Sequence, residues 1–71
     1  MQATMAKGEI GKLIRESRLR AGLTQGELAK QADLTQAALS HIESGRSEPT
    51  ISTLKRIAIA LGISWKDLIP E

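Results

Sequence analysis

Apolar residues recur along this chain at helical spacing and almost nowhere at the spacing of a strand. Ile10, Leu13, Ile14, Ser17 and Ala21 fall on one face of a helix over about 9–21. Leu28, Ala29 and Ala32 line a second over 25–32, and Ala38, Leu39 and Ile42 a third over 36–44. Ile51, Leu54, Ile57, Ala58 and Leu61 line a fourth over 51–61. Trp65, Leu68 and Ile69 fit a short fifth over 65–69, stopped by Pro70. Thr24, Thr35, Thr50 and Ser64 stand where N-caps are needed, and Thr24 with Glu27 has capping-box spacing. Gly22, Gly45 and Gly62 each follow an apolar run and suit the left-handed residue past a helix end. The expected fold is all-α: five short helices in one compact domain over 9–69, preceded by a flexible tail over 1–8.

Only Ala32–Asp33–Leu34–Thr35 joins the second and third helices. A link this short forces a sharp turn, with Asp33 as its left-handed residue and Leu34 tucked into the core. Two short helices so joined form a helix-turn-helix. On the outer face of the third, Gln36, Ala37, Ser40, His41 and Ser44 make one stripe without a Lys or Glu. The first helix, by contrast, has an ordinary solvated face with Lys12, Arg15, Glu16 and Arg20. Short neutral groups suit the floor of a DNA major groove. Gln bridges adenine N6 and N7, Ala touches a thymine methyl, and Ser or His bonds either edge. Alone, the same stripe also suits bland surface or a protein partner. Thr24 and Gln25 open the second helix, whose N-terminus is a seat for phosphate. Ser44–Gly45–Arg46–Ser47 follows the third as a polar loop with free amides and an arginine for a phosphate.

Composition narrows the classes. Seventy-one residues make one small domain. Without cysteine there is no disulfide framework or thiolate metal site, and one His cannot build a zinc centre. A single Trp without Phe or Tyr leaves a core of Leu, Ile and Ala and excludes a stacking platform for single strands. The net charge of +2 leans only mildly towards an acidic partner. No nucleophile–base pair, carboxylate pair or metal cluster is visible, so no enzyme activity, cofactor, metal or small-molecule ligand is expected. No run approaches a membrane span, and Met1–Gly8 has no apolar stretch of signal-peptide length. The cytoplasm is the expected compartment.

Several motifs lie at matching spacing: Gly22–Leu23–Thr24–Gln25, Glu27–Leu28–Ala29, Thr35–Gln36, Ser40, Ile42–Glu43–Ser44–Gly45–Arg46, Pro49–Thr50, Leu54, Ile57–Ala58 and Ala60–Leu61–Gly62. Together they resemble the Cro/repressor-type, xenobiotic-response-element-like helix-turn-helix family of bacterial and phage regulators. The resemblance runs from about Ile10 to Leu68. It implies a lambda-repressor-like fold and a regulator, with repression the economical expectation, that binds a palindromic operator in double-stranded DNA as a homodimer. It makes the third helix the recognition helix, with Gln36, Ala37, Ser40 and His41 at base-reading positions. It makes Gln25, Ser44 and Arg46 phosphate contacts, with Thr24, Thr35 and Ser47 counted beside them. It also pairs Arg18 with Glu43 as a structural tie.

Trp65, Leu68 and Ile69 are the expected dimer interface, because a domain this small covers a large terminal aromatic only in part. Three positions depart from the family pattern: Asp33 stands where Gly is usual, Gly26 where a helix former is usual, and Glu48 brings a negative charge to the loop. The family often appends an effector or oligomerisation domain that this sequence does not contain, so the expectation is either a domain that works alone or a fragment of a larger regulator. The competing class is a protein-interaction module, antitoxin-like or coactivator-like, that uses the same stripe for protein.

Overall fold

The computed structural model describes residues 7–70. The first six residues of the expected tail lie outside the described residues, and the other two belong to the first helix. The elements are α1 (Lys7–Arg20), α2 (Gln25–Gln31), α3 (Gln36–Glu43) and α4 (Ile51–Leu61), followed by a 3₁₀ helix (Trp65–Leu68). No strand occurs among the described residues.

The expectation of five helices is corrected to four α-helices and a 3₁₀ turn. Between the Ser64 cap and Pro70 only five residues remain, little more than one turn. It closes by bonds three residues long, Asp67 N to Ser64 O at 3.0 Å and Ile69 N to Lys66 O at 3.2 Å.

The helix starts form as local chemistry dictates. Thr24 Oγ1 accepts from Glu27 N at 3.1 Å while Thr24 N donates to Glu27 Oε1 at 2.8 Å, completing the capping box. Thr35 and Thr50 cap α3 and α4 through Ala38 N and Thr53 N, and Ser64 caps the 3₁₀ turn through Lys66 N. All four α-helices end in one device. Gly22, Asp33, Gly45 and Gly62 take left-handed φ values of 74°, 59°, 83° and 73°. The next residue's amide then reaches back five positions: Leu23 to Arg18 O, Leu34 to Ala29 O, Arg46 to His41 O and Ile63 to Ala58 O. Leu23, Leu34 and Ile63 are thereby packed against the core. The fourth residue in that position is Arg46, and it is exposed.

α1 packs on α3, and α2 on both α3 and α4, with the 3₁₀ turn against α4 and α1. Ile14, Leu28, Leu39, Ile57 and Leu68 are fully buried at the centre. Gly11 makes the α1–α3 approach close: an added Cβ there would overlap the carbonyl oxygens of Ile42 and Glu43, the latter at 2.7 Å. Two expected core residues are not in the core. Ala21 is exposed, because α1 has ended at Arg20 and the chain is turning through Gly22. Ile51 is 52% exposed at the first position of α4, a turn ahead of its first buried residue, Leu54.

Candidate nucleic-acid interface

Leu39 and Ile42 fix the rotation of α3. Both are buried, at 0% and 5% exposure, so the opposite face is turned outward. Gln36, Ala37 and His41 are exposed on that face, and Ser40 is half-buried. The four therefore share one side of α3. The Gln36 side chain lies back towards the first turn of α2, with its Oε1 at 3.4 Å from where a Cβ on Gly26 would stand. The missing side chain of Gly26 thus leaves space at the edge of the stripe.

Arg18 and Glu43 hold α3 against the end of α1. Arg18 Nε donates to Glu43 Oε2 at 2.8 Å and Arg18 Nη2 to Glu43 Oε1 at 3.0 Å, a two-pronged pair with side chains 10% and 4% exposed. Arg18 Nη1 also donates to Leu23 O at 3.0 Å. The hydrogen bond to Glu43 holds the guanidinium above its ordinary range; burial opposes this, and Coulomb attraction to Glu43 adds to it. No buried side-chain nitrogen or oxygen among the described residues lacks a partner, so these charges are fully matched.

The flanking positions fall out less simply. Thr24 and Thr35 are exposed, and both hydroxyl oxygens accept cap bonds while keeping a proton to donate. Gln25 is half-buried, and its Nε2 donates to Glu43 Oε1 at 3.2 Å, a contact the sequence reading did not contain.

The loop after α3 has no free amides from Ser44 to Ser47, contrary to expectation. Ser44 N bonds Ser40 O, Gly45 N bonds Ile42 O, and the amides of Arg46 and Ser47 both bond His41 O. Closing the helix uses these donors, which leaves only side chains to meet an anion at this loop. Ser44 Oγ donates to His41 O at 3.2 Å, which leaves it no proton for a phosphate in this conformation. The side chains of Arg46 and Ser47 are exposed, and Arg46 Nη1 stands 3.5 Å from His41 Nε2. Glu48 is exposed in the same loop.

The expected dimer residues separate. Leu68 is at 0% exposure inside the core and is withdrawn from any interface. Its place on the 3₁₀ turn, against α4 and α1, directs it inward. Trp65 and Ile69 are half-buried, and Lys55 Nζ sits 5.5 Å from the centre of the Trp65 ring. Among the described residues the most exposed large apolar side chain is Ile59, at 78%. It falls outside the buried stripe of α4, which is the signal that marks it.

No metal-ligating cluster occurs among the described residues, and none of their helices is long and apolar enough to cross a membrane. A groove of about 400 Å³ lined by Glu9, Lys12, Leu13, Glu16 and Pro70 contains none of the expected site residues.

A short helix that presents an uncharged polar face, set by a tight turn on a capped partner helix, is the geometry of a helix-turn-helix DNA-binding motif. Known proteins agree. The helix-turn-helix family model HTH_3 matches residues 14–68. The immunity repressor of Bacillus phage phi105 is 39% identical over 62 residues, which cover 87% of this chain and 43% of the repressor. The restriction-modification controller C.AhdI of Aeromonas hydrophila superposes with a TM-score of 0.87 at 27% identity, covering 89% of this chain and 96% of that one. The biofilm regulator SinR, solved in complex with DNA, superposes with a TM-score of 0.82 at 31% identity, covering 86% and 98%. The chain belongs to the helix-turn-helix family of Cro/C1-type transcriptional regulators. That family consists of DNA-binding proteins rather than enzymes.

Proposed function

We propose that this chain is a cytoplasmic repressor that binds an inverted-repeat operator as a homodimer, each copy laying α3 in the major groove. The outward-facing stripe of Gln36, Ala37, Ser40 and His41 carries the reading, because it offers base-edge chemistry without the charges of an ordinary solvated face. Gln25, Arg46 and Ser47 meet phosphates through side chains, with Thr24 and Thr35 donating from the caps. Ser44 joins them only by turning away from the His41 carbonyl. Repression by occlusion requires nothing beyond tight operator binding.

Pairing follows from the arithmetic of one copy. A net charge of +2 neutralises few phosphates, and an eight-residue helix spans few base pairs. Two copies double both contributions and place half-sites roughly 34–36 Å apart, one helical turn. Ile59, Trp65 and Ile69 supply apolar surface for the pairing. Sedimentation of Ile59→Ser and Trp65→Ala beside the parent checks this. Both variants are expected to shift towards monomer, and a parent dimer left intact by both moves the interface elsewhere.

Two substitutions test the division of roles. Gln36→Ala is expected to relax preference at one operator position, at a cost of about 1–3 kcal/mol there. Arg46→Ala is expected to weaken binding to every duplex alike and to lower the salt slope by about 0.9 per copy. Titrations of matched and mismatched duplexes across salt concentrations separate them. A change of base preference in Arg46→Ala with an unaltered salt slope reverses the assignment.

A further inference from the structure

We propose that Glu43 is a positioning residue for the phosphate contact made by Gln25; this rests on the reading of Gln25 just given. Glu43 stands at the last residue of α3 and Gln25 at the first of α2. Glu43 Oε1 accepts from Gln25 Nε2 at 3.2 Å and from Arg18 Nη2 at 3.0 Å, while Oε2 accepts from Arg18 Nε at 2.8 Å. With its side chain only 4% exposed, the carboxylate is placed by packing and by Arg18 rather than by solvent. Gln25 is therefore held by a fixed acceptor.

A glutamine amide has two N–H groups and a carbonyl. With one N–H on Glu43, the other remains for a phosphate oxygen, and the side chain has already lost much of the rotamer freedom that binding would remove. Glu43 also belongs to the helix that carries the base-reading stripe. The bond thus ties the backbone contact at the start of α2 to the base contacts of α3, and the two engage DNA in one register. If Glu43 were only a counterion for Arg18, Gln25 would act independently of it.

Competition titrations with a mixed-sequence duplex long enough for one dimer distinguish these cases, since a phosphate contact acts on any duplex. Gln25→Ala is measured in the parent and in Arg18→Met/Glu43→Met, which removes both buried charges together and leaves neither unpaired. Arg46→Ala is measured in the same two backgrounds as a reference, because Arg46 has no bond to the pair. Gln25→Ala is expected to weaken binding about tenfold per copy in the parent, the effect of one charge-assisted hydrogen bond in each, and less than twofold per copy in the double variant. The Arg46→Ala penalty is expected to be equal in both.

A Gln25→Ala penalty of the same size in both backgrounds overturns the positioning role while leaving the phosphate contact standing. Loss of both penalties together also overturns it, since Glu43 would then support the domain at large. No penalty in the parent overturns the phosphate contact itself, and the positioning role with it. Should the double variant fail to fold, Glu43→Asp serves instead. It keeps the carboxylate for Arg18 but shortens its reach by one methylene, and the Gln25→Ala penalty is expected to shrink there too.

Discussion

Arg18→Ala is expected to lower the free energy of unfolding by about 3–5 kcal/mol, because it leaves the buried Glu43 carboxylate without its counterion. At ~0.05–0.15 kcal/mol per residue, a chain of 71 residues has roughly 4–11 kcal/mol in all, so the variant stands near the edge of folding. In a thermal melt the loss corresponds to a fall of more than about 12 °C, at 4–8 °C per kcal/mol for a domain of this size. The cost lies in the orphaned partner rather than in the attraction lost. Arg18→Met/Glu43→Met is therefore expected to melt much closer to the parent, since replacing both members of a buried pair by apolar groups is often near neutral. The Leu23 carbonyl, which loses its bond from Arg18 Nη1, keeps that variant slightly below the parent. A loss under about 1 kcal/mol for Arg18→Ala would mean that the pair behaves as an exposed salt bridge.

Gly11→Ala is the second large effect, and its sign runs against helix propensity. In an open helix interior the change gains about 1 kcal/mol. Here the new Cβ would overlap the carbonyl oxygens of Ile42 and Glu43, which are backbone atoms and cannot rotate aside. α1 and α3 must separate, at an overpacking cost of about 1–3 kcal/mol or more. We expect a net loss of about 2 kcal/mol in urea unfolding and weaker duplex binding at temperatures where the variant is fully folded, because α3, the proposed recognition helix, is what moves. Gly8→Ala, on the same helix with nothing within 4 Å of the added atom, is the control and is expected to be neutral or mildly stabilising. Equal effects from the two would mean that the close approach of α1 and α3 is not the cause.

What could be read in the sequence was local. The Thr24–Glu27 box, the hydroxyl caps and the left-handed ends at Gly22, Asp33, Gly45 and Gly62 each depend on a few neighbouring residues. Each formed as its chemistry requires. The direction of the α3 stripe was legible because the 3.6-residue period puts Leu39 and Ile42 opposite Gln36 and His41.

What could not be read depends on where helices cross and stop. Gly11 carries no local mark, because its role is defined by carbonyls more than thirty positions away. A helical wheel places Ala21 and Ile51 inward, but both stand at helix ends where the core is not. Leu68 lies close to Trp65 in sequence, but the 3₁₀ turn sends it to the centre while Trp65 stays half-buried. The loop amides of Arg46 and Ser47 looked open until the helix end drew both onto His41 O. The Gln25–Glu43 bond joins residues 18 apart and needed the packed helix pair to be seen.

The proposed function requires the uncharged stripe of α3 to read bases for a dimer. Selection of bound sequences from a randomised duplex pool at near-physiological salt tests it most directly. Enrichment of an inverted repeat with half-sites about one helical turn apart is expected. An unenriched pool, with the protein folded and pure, would contradict base reading by Gln36, Ala37, Ser40 and His41 and turn the same face towards a protein partner.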